Sequence, residues 1–274
     1  MAGADPIETY RGAVAAWECD AFGHMNIALY PQRFEAGARD LMERAGSASG
    51  WRTVALHVRY LEELRAAEGI VIRSGLLERE GASVRLAHEA LKPSGERTTL
   101  AEHVLRHDDA AFASVSLAPI GGWERFSPPG LPRGEGTLAT ARTRARATLC
   151  EDGALTTGGY THCFSDANLF VMEAIGMSSA YRSASNRGFA TFETLLSLEG
   201  RPAAPGDGLV VTSGIVAVGA SSLRLLHRMR ASADGQLLAQ FYQAGVHFDL
   251  ALRRSAPWLP ELRANAEKLV LAAL

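Results

Sequence analysis

Residues 17–46, WECDAFGHMNIALYPQRFEAGARDLMERAG, decide how this chain is read. Ile27, Tyr30, Phe34, Ala38, Leu41 and Ala45 recur every three or four residues, the stripe of one buried helix face. Pro31 has no N–H to give and clashes with the carbonyl four residues earlier, so it belongs in the first turn of that helix. Asp20, His24 and Asn26 then stand just ahead of the helix N-terminus. Free N–H groups there favour an anion or a polarised carbonyl oxygen. Residues 10–19 read as a strand leading in, and residues 46–50 as a glycine- and serine-rich stop.

Downstream, TVALHVRYL (53–61), IVIRSGLLE (70–78), SVRLAHEAL (83–91) and TTLAEHVLR (98–106) read as four strands separated by turns. Strand, long helix and four strands give an α+β class: an antiparallel sheet wrapped around one helix. Residues 118–139 are rich in Pro and Gly without periodicity and read as a linker, with Trp123 and Phe126 expected to pack on the surface. The pattern then restarts. Gly23, Tyr30, Phe34, Leu41-Met42-Glu43 and Gly46 recur 130 residues later as Gly153, Tyr160, Phe164, Val171-Met172-Glu173 and Gly176. Ser74-Gly75, Ser83, Arg85-Leu86 and His88 recur 139 later as Ser213-Gly214, Ser222, Arg224-Leu225 and His227. Residues 178–188 supply the longer connection that the change of shift requires, and 257–274 read as a final helix with Leu262, Ala266, Leu269 and Ala273 on one stripe. A duplication is the natural account, and pairing the halves as an intramolecular pseudo-dimer would cover an exposed sheet edge in each. Three segments follow: residues 1–117, the linker 118–139, and residues 140–274.

The motif W-x-x-D-x-x-G-H-x-N-x-x-x-Y, carried by Trp17, Asp20, Gly23, His24, Asn26 and Tyr30, resembles the active-site segment of hotdog-fold acyl-CoA thioesterases of the 4-hydroxybenzoyl-CoA type. The resemblance implies two tandem hotdog folds and hydrolysis of an acyl-CoA to free acid and thiol. Asp20 would be nucleophile or general base, with His24 and Asn26 orienting water or the carbonyl. Gly23, Met25, Tyr30, Glu35 and, from the second half, Asp166 would line the substrate site. It implies no cofactor beyond the coenzyme A of the substrate, and further pairing of whole chains as a homodimer; His162 and Cys163 are adjacent, not at a zinc-finger spacing, so no metal site is expected. Two rival readings share the fold: an acyl-thioester hydratase or dehydratase, and a non-catalytic acyl-CoA binder. At the constant shift of 130, Asp20 falls on Cys150, His24 on Ala154 and Asn26 on Thr156, so the second half is expected to have lost the polar set.

Each of these residues has a plainer use: Asp20 as a turn residue, Asn26 as a helix cap, Tyr30 and Tyr160 as core, and His88 and His227 as structural histidines. Cys150, without a neighbouring His, reads as an inert thiol. With 47% hydrophobic and 21% charged residues and a net charge of −2, the 274-residue chain has the composition of a globular protein and no bulk attraction for nucleic acid or anionic membrane. No apolar run reaches a membrane span, the opening residues lack a signal-peptide pattern, and the three cysteines lack paired spacing. The expected compartment is the cytoplasm.

Overall fold

The computed structural model describes residues 4–20, 22–47, 49–109, 117–132, 134 and 136–271. The chain divides into two compact units, Met1–Pro128 and Pro129–Leu274.

In the first unit, β1 (Ile7–Ala13) leads through a short 3-10 turn (Ala16–Glu18) and a hairpin to α1 (Leu29–Arg44). Strands β2 (Trp51–Tyr60), β3 (Gly69–Glu80), β4 (Ser83–Leu91) and β5 (Arg97–His107) follow. The antiparallel order is β1-β3-β4-β5-β2. The expected strand over residues 10–19 is therefore corrected. It starts at Ile7 and ends at Ala13, where Val14 N–H turns away to bond Glu68 O. Pro31 sits in the first turn of α1, where its missing N–H costs no helical bond. Tyr30, Phe34, Ala38, Leu41 and Met42 bury the helix stripe, and Ile70, Ile72, Leu56, Val58 and Leu86 fill the facing sheet. Phe34 is fully buried, so Phe34→Ala would cost about 3–5 kcal/mol. Gly37 is needed for the crossing: a Cβ there would come within 2.9 Å of Thr9 Oγ1.

The second unit repeats the plan. It comprises β6 (Leu138–Arg144), a 3-10 turn (Ala147–Leu149), the hairpin β7 (Cys150–Glu151) and β8 (Ala154–Leu155), and α2 (Thr157–Ile175). Next come α3 (Ser179–Ser185), β9 (Arg187–Leu198), β10 (Gly208–Val218), β11 (Ser222–Ala231), β12 (Leu237–Asp249), β13 (Arg254–Ser255) and α4 (Pro260–Glu267). Its order is β9-β12-β11-β10-β6, with β13 on β12. Residues 178–188 supply the longer connection, most of it the helix α3, capped by Ser178 Oγ on Tyr181 N–H. The final helix is shorter than its stripe predicts: Leu262 and Ala266 are buried in it, Leu269 lies beyond its end, and Ala273 lies outside the described residues.

Each unit buries the same polar row. Thr9 Oγ1 lies 2.6 Å from Ser74 Oγ, which lies 2.6 Å from His88 Nδ1. Thr140, Ser213 and His227 repeat both distances, 2.6 and 2.6 Å. Burial holds His88 well below its ordinary value and pushes His227 down to about 4, so both rings are neutral. They are structural residues. Part of the expected linker belongs to the first unit: Ile120 N–H bonds Leu76 O at 2.8 Å, and Trp123 Nε1 and Phe126 N–H both bond the buried carboxylate of Glu102.

Candidate active site

The segment ahead of α1 is a hairpin built on short-range chemistry. Cys19 pairs with Met25, and Asp20 N–H bonds His24 O at 2.8 Å. The three-residue connection closes at Gly23, whose φ of 75° is the left-handed region that such loops require. Space is not the reason for this glycine, since a Cβ there would meet nothing within 4 Å. Asp20 is exposed. Its Oδ1 accepts Phe22 N–H at 2.8 Å and His24 N–H at 3.1 Å, while Oδ2 accepts no hydrogen bond among the described residues. Asn26 is not the helix cap of its plainer reading: the cap position of α1 is Ala28, and Asn26, three residues before Leu29, accepts Ala28 N–H on Oδ1 at 2.9 Å as a turn residue.

Two further contacts fix the hairpin to the sheet. Met25 N–H bonds Leu64 O at 2.7 Å, and the Tyr30 hydroxyl bonds the Leu64 backbone. Tyr30 is 3% exposed and burial pushes its phenol up to about 12, so it packs in the core and holds the loop. The second fixture went unpredicted. Arg33, 6% exposed, donates to Glu18 Oε2 at 2.8 Å, Ala13 O at 3.2 Å and Tyr10 OH at 3.2 Å, and also touches Met25 Sδ. An arginine at the third position after Tyr30, inside an apolar stripe, was the available signal.

The polar residue brought to His24 also escaped the sequence reading. Glu63 follows β2, and its Oε2 lies 3.3 Å from His24 Nε2, the side chains being 28% and 15% exposed. Met25 is buried. Glu35 pairs with Arg39 at 3.3 Å on the same helix. Asp166 is exposed in the middle of α2, 4.0 Å from His162 of the preceding turn. Among the described residues, no cluster of three or more His, Cys, Asp or Glu could hold a metal ion.

The second hairpin corrects the register of the repeat. Cys19 and Cys150 occupy the same place: each follows its 3-10 turn and directs Sγ at a carbonyl four residues back, at 3.7 Å on Ala15 and 3.2 Å on Arg146. Cys150 pairs with Leu155 and Glu151 with Ala154. The connection is the two-residue Asp152-Gly153, with φ of 51° and 76°, one residue shorter than in the first half. The shift is therefore 131 before the turn and 130 after it. Asp20 corresponds to Glu151, and Cys150 to Cys19. The acid is kept in both copies; His24, Arg33 and, through the shared bond of Leu64 O and Ala203 O to the hairpin, Glu63 become Ala154, Cys163 and Pro202. Burial pushes the Cys163 thiol up to about 11 and raises that of Cys150, so neither is an activated thiolate.

The thioesterase-like superfamily matches residues 14–118 and again 150–266. The chain belongs to this superfamily. It is 28% identical over 122 residues, 42% of its length, to L-carnitine dehydrogenase/betainyl-CoA thioesterase of Agrobacterium fabrum, and spans 25% of that relative. An acyl-ACP thioesterase structure from Bacteroides thetaiotaomicron superposes with a TM-score of 0.66 at 9% identity, covering 87% of this chain and 96% of the other. A provisionally assigned oleoyl thioesterase from Lactobacillus plantarum gives 0.70 at 11%, covering 90% and 99%. At such identities the likeness shows the fold, two tandem hotdogs. The superfamily match covers both halves of the chain, as two thioesterase-like repeats would. No helix of the described residues is long and apolar enough to cross a membrane.

Proposed function

We propose that the chain hydrolyses an acyl-CoA thioester at the hairpin of its first unit, with Asp20 as the reacting carboxylate. What carries the reading is the arrangement of that hairpin: Asp20 and His24 face each other across one turn, directly before the buried helix α1. Two backbone N–H groups hold Asp20 Oδ1 and leave Oδ2 to act. Oδ2 either attacks the thioester carbonyl carbon or takes a proton from the water that does. In both routes a C–O bond forms and the C–S bond breaks with its electron pair on sulfur, which leaves as thiol after gaining a proton; in the nucleophile route that C–O bond is an anhydride to Asp20, which water then cleaves to release the acid and restore the carboxylate. The Tyr30 backbone N–H, which has no partner among the described residues, supports the carbonyl oxygen at the positive end of α1.

Release of free thiol from a panel of acyl-CoA substrates tests the proposal, with betainyl-CoA in the panel because the relative bears that activity in its name. Asp20→Asn should keep the fold and lose most turnover; normal turnover by this variant refutes the assignment. Trapping of an acyl group on Asp20 in a rapid-quench single turnover separates the two routes, since only the nucleophile route passes through an acyl-aspartyl anhydride.

A further inference from the structure

We infer that Glu63 is a positioning residue for His24, and that this pair, more than the acid at position 20, distinguishes the working copy of the hairpin. The inference rests on the site reading above. His24 Nε2 and Glu63 Oε2 are 3.3 Å apart in a partly screened position. A carboxylate can only accept, so in the proposed pairing Nε2 carries the hydrogen and directs it at Glu63 Oε2, an oxygen that also lies 4.0 Å from Arg65 Nη2. In the neutral ring the lone pair then sits on Nδ1, which has no partner among the described residues. Glu63 thereby settles which of two roles His24 can play. A ring with its hydrogen committed to Glu63 accepts a hydrogen bond from the attacking water; it does not donate one to the thioester carbonyl. This is the logic by which a buried carboxylate fixes the tautomer and tilt of a catalytic imidazole.

The backbone makes the pairing specific. Residues 61–65 lie along the hairpin through the His24–Arg65 bridge and the Met25 N–H to Leu64 O bond of 2.7 Å. The second unit has the same scaffold: Leu155 N–H bonds Ala203 O at 2.8 Å, and the Tyr160 hydroxyl takes Ala203 N–H at 2.8 Å. On that scaffold the histidine is Ala154 and its partner is Pro202, so both members of the pair are missing together. A surface ion pair of no consequence would have no reason to vanish as a unit while Asp20 keeps an acidic counterpart in Glu151.

A double-mutant cycle on turnover tests whether Glu63 works through His24. Glu63→Ala should lower kcat by about tenfold or more with KM within about twofold, the range expected when a general acid–base group is misdirected. His24→Ala should lower kcat at least as far, and His24→Ala/Glu63→Ala should match His24→Ala alone. Glu63→Gln, whose amide oxygen can still accept the Nε2 hydrogen, should lie between wild type and Glu63→Ala. It also keeps the test decisive if the alanine variant melts early. Glu62→Ala, on the exposed neighbour, should turn over normally. Losses that multiply in the double variant, or a Glu63→Ala enzyme with wild-type kcat beside an inactive Asp20→Asn, overturn this inference alone. An active Asp20→Asn overturns the site reading instead.

Discussion

At residues 19–25 and again at residues 150–155 the chain makes the same hairpin, after the same 3-10 turn, ahead of the same buried helix. The first is one residue longer and polar around its base: Arg33 ties Glu18, Tyr10 and the Ala13 carbonyl together, and Glu63 meets His24. In the second, Cys163 takes the place of Arg33 and packs among Leu149, Cys150, Leu155 and Tyr160. One copy is an apolar plug and the other a polar junction. The contrast teaches where to look for function in a duplicated fold. An acid stands at this place in both copies, whereas His24, Glu63 and Arg33 stand in one copy only.

The largest expected break in this comparison is in activity. Asp20→Asn should lower turnover by about 100-fold or more, while Glu151→Gln should change it less than twofold. The reverse result would move the working site to the second hairpin. Next comes stability. Arg33→Met, which makes the first copy resemble the second, takes the guanidinium from the Glu18 carboxylate, which keeps its bond from Ala15 N–H, and should cost about 1–3 kcal/mol in urea unfolding. An unchanged urea midpoint would show that the junction contributes no net stability.

Acid should separate the units more gently. Burial pushes His103 down to about 3 from an ordinary 6.5, and lowers its neighbour His88 as well, whereas the second unit has Gln243 beside His227. The unfolded chain therefore takes up these protons first as pH falls. The stability given by neutral rings is complete above pH 6.5 and drains between 6.5 and about 3 for His103. His103→Gln should flatten the fall in melting temperature over that window, removing at most about 1.4 kcal/mol per pH unit from the slope. An unaltered slope would mean that this ring titrates alike in both states. Cys150→Ala should be the quietest change, within about 0.5 kcal/mol and without effect on turnover. A loss of activity there would contradict the inert-thiol reading.

Much of the fold was legible because periodicity is written locally. The stripe from Tyr30 to Leu41 is buried as its spacing predicts, and all four strands after it stand within three residues of where their alternation put them. The site was only half legible. Asp20 and Asn26 announce themselves by type and position, and both turn out to make the short-range bonds that such residues make in any turn. Glu63 lies thirty-nine residues from His24 in an acidic loop with no pattern, and only the sheet brings the two together. The single-residue deletion in the second hairpin was hidden for a similar reason. A constant shift aligned Asp20 with a cysteine, and only strand pairing shows that its counterpart is Glu151.

The guanidinium of Arg33 reaches a strand carbonyl, a 3-10 turn carboxylate, a phenol and a thioether at once. On the proposed reading, a segment clamped from so many directions needs no ordering when a substrate arrives. Discrimination at this hairpin then resembles the fitting of a key to a rigid lock, and variants that loosen the clamp should blur selectivity among acyl groups before they abolish folding.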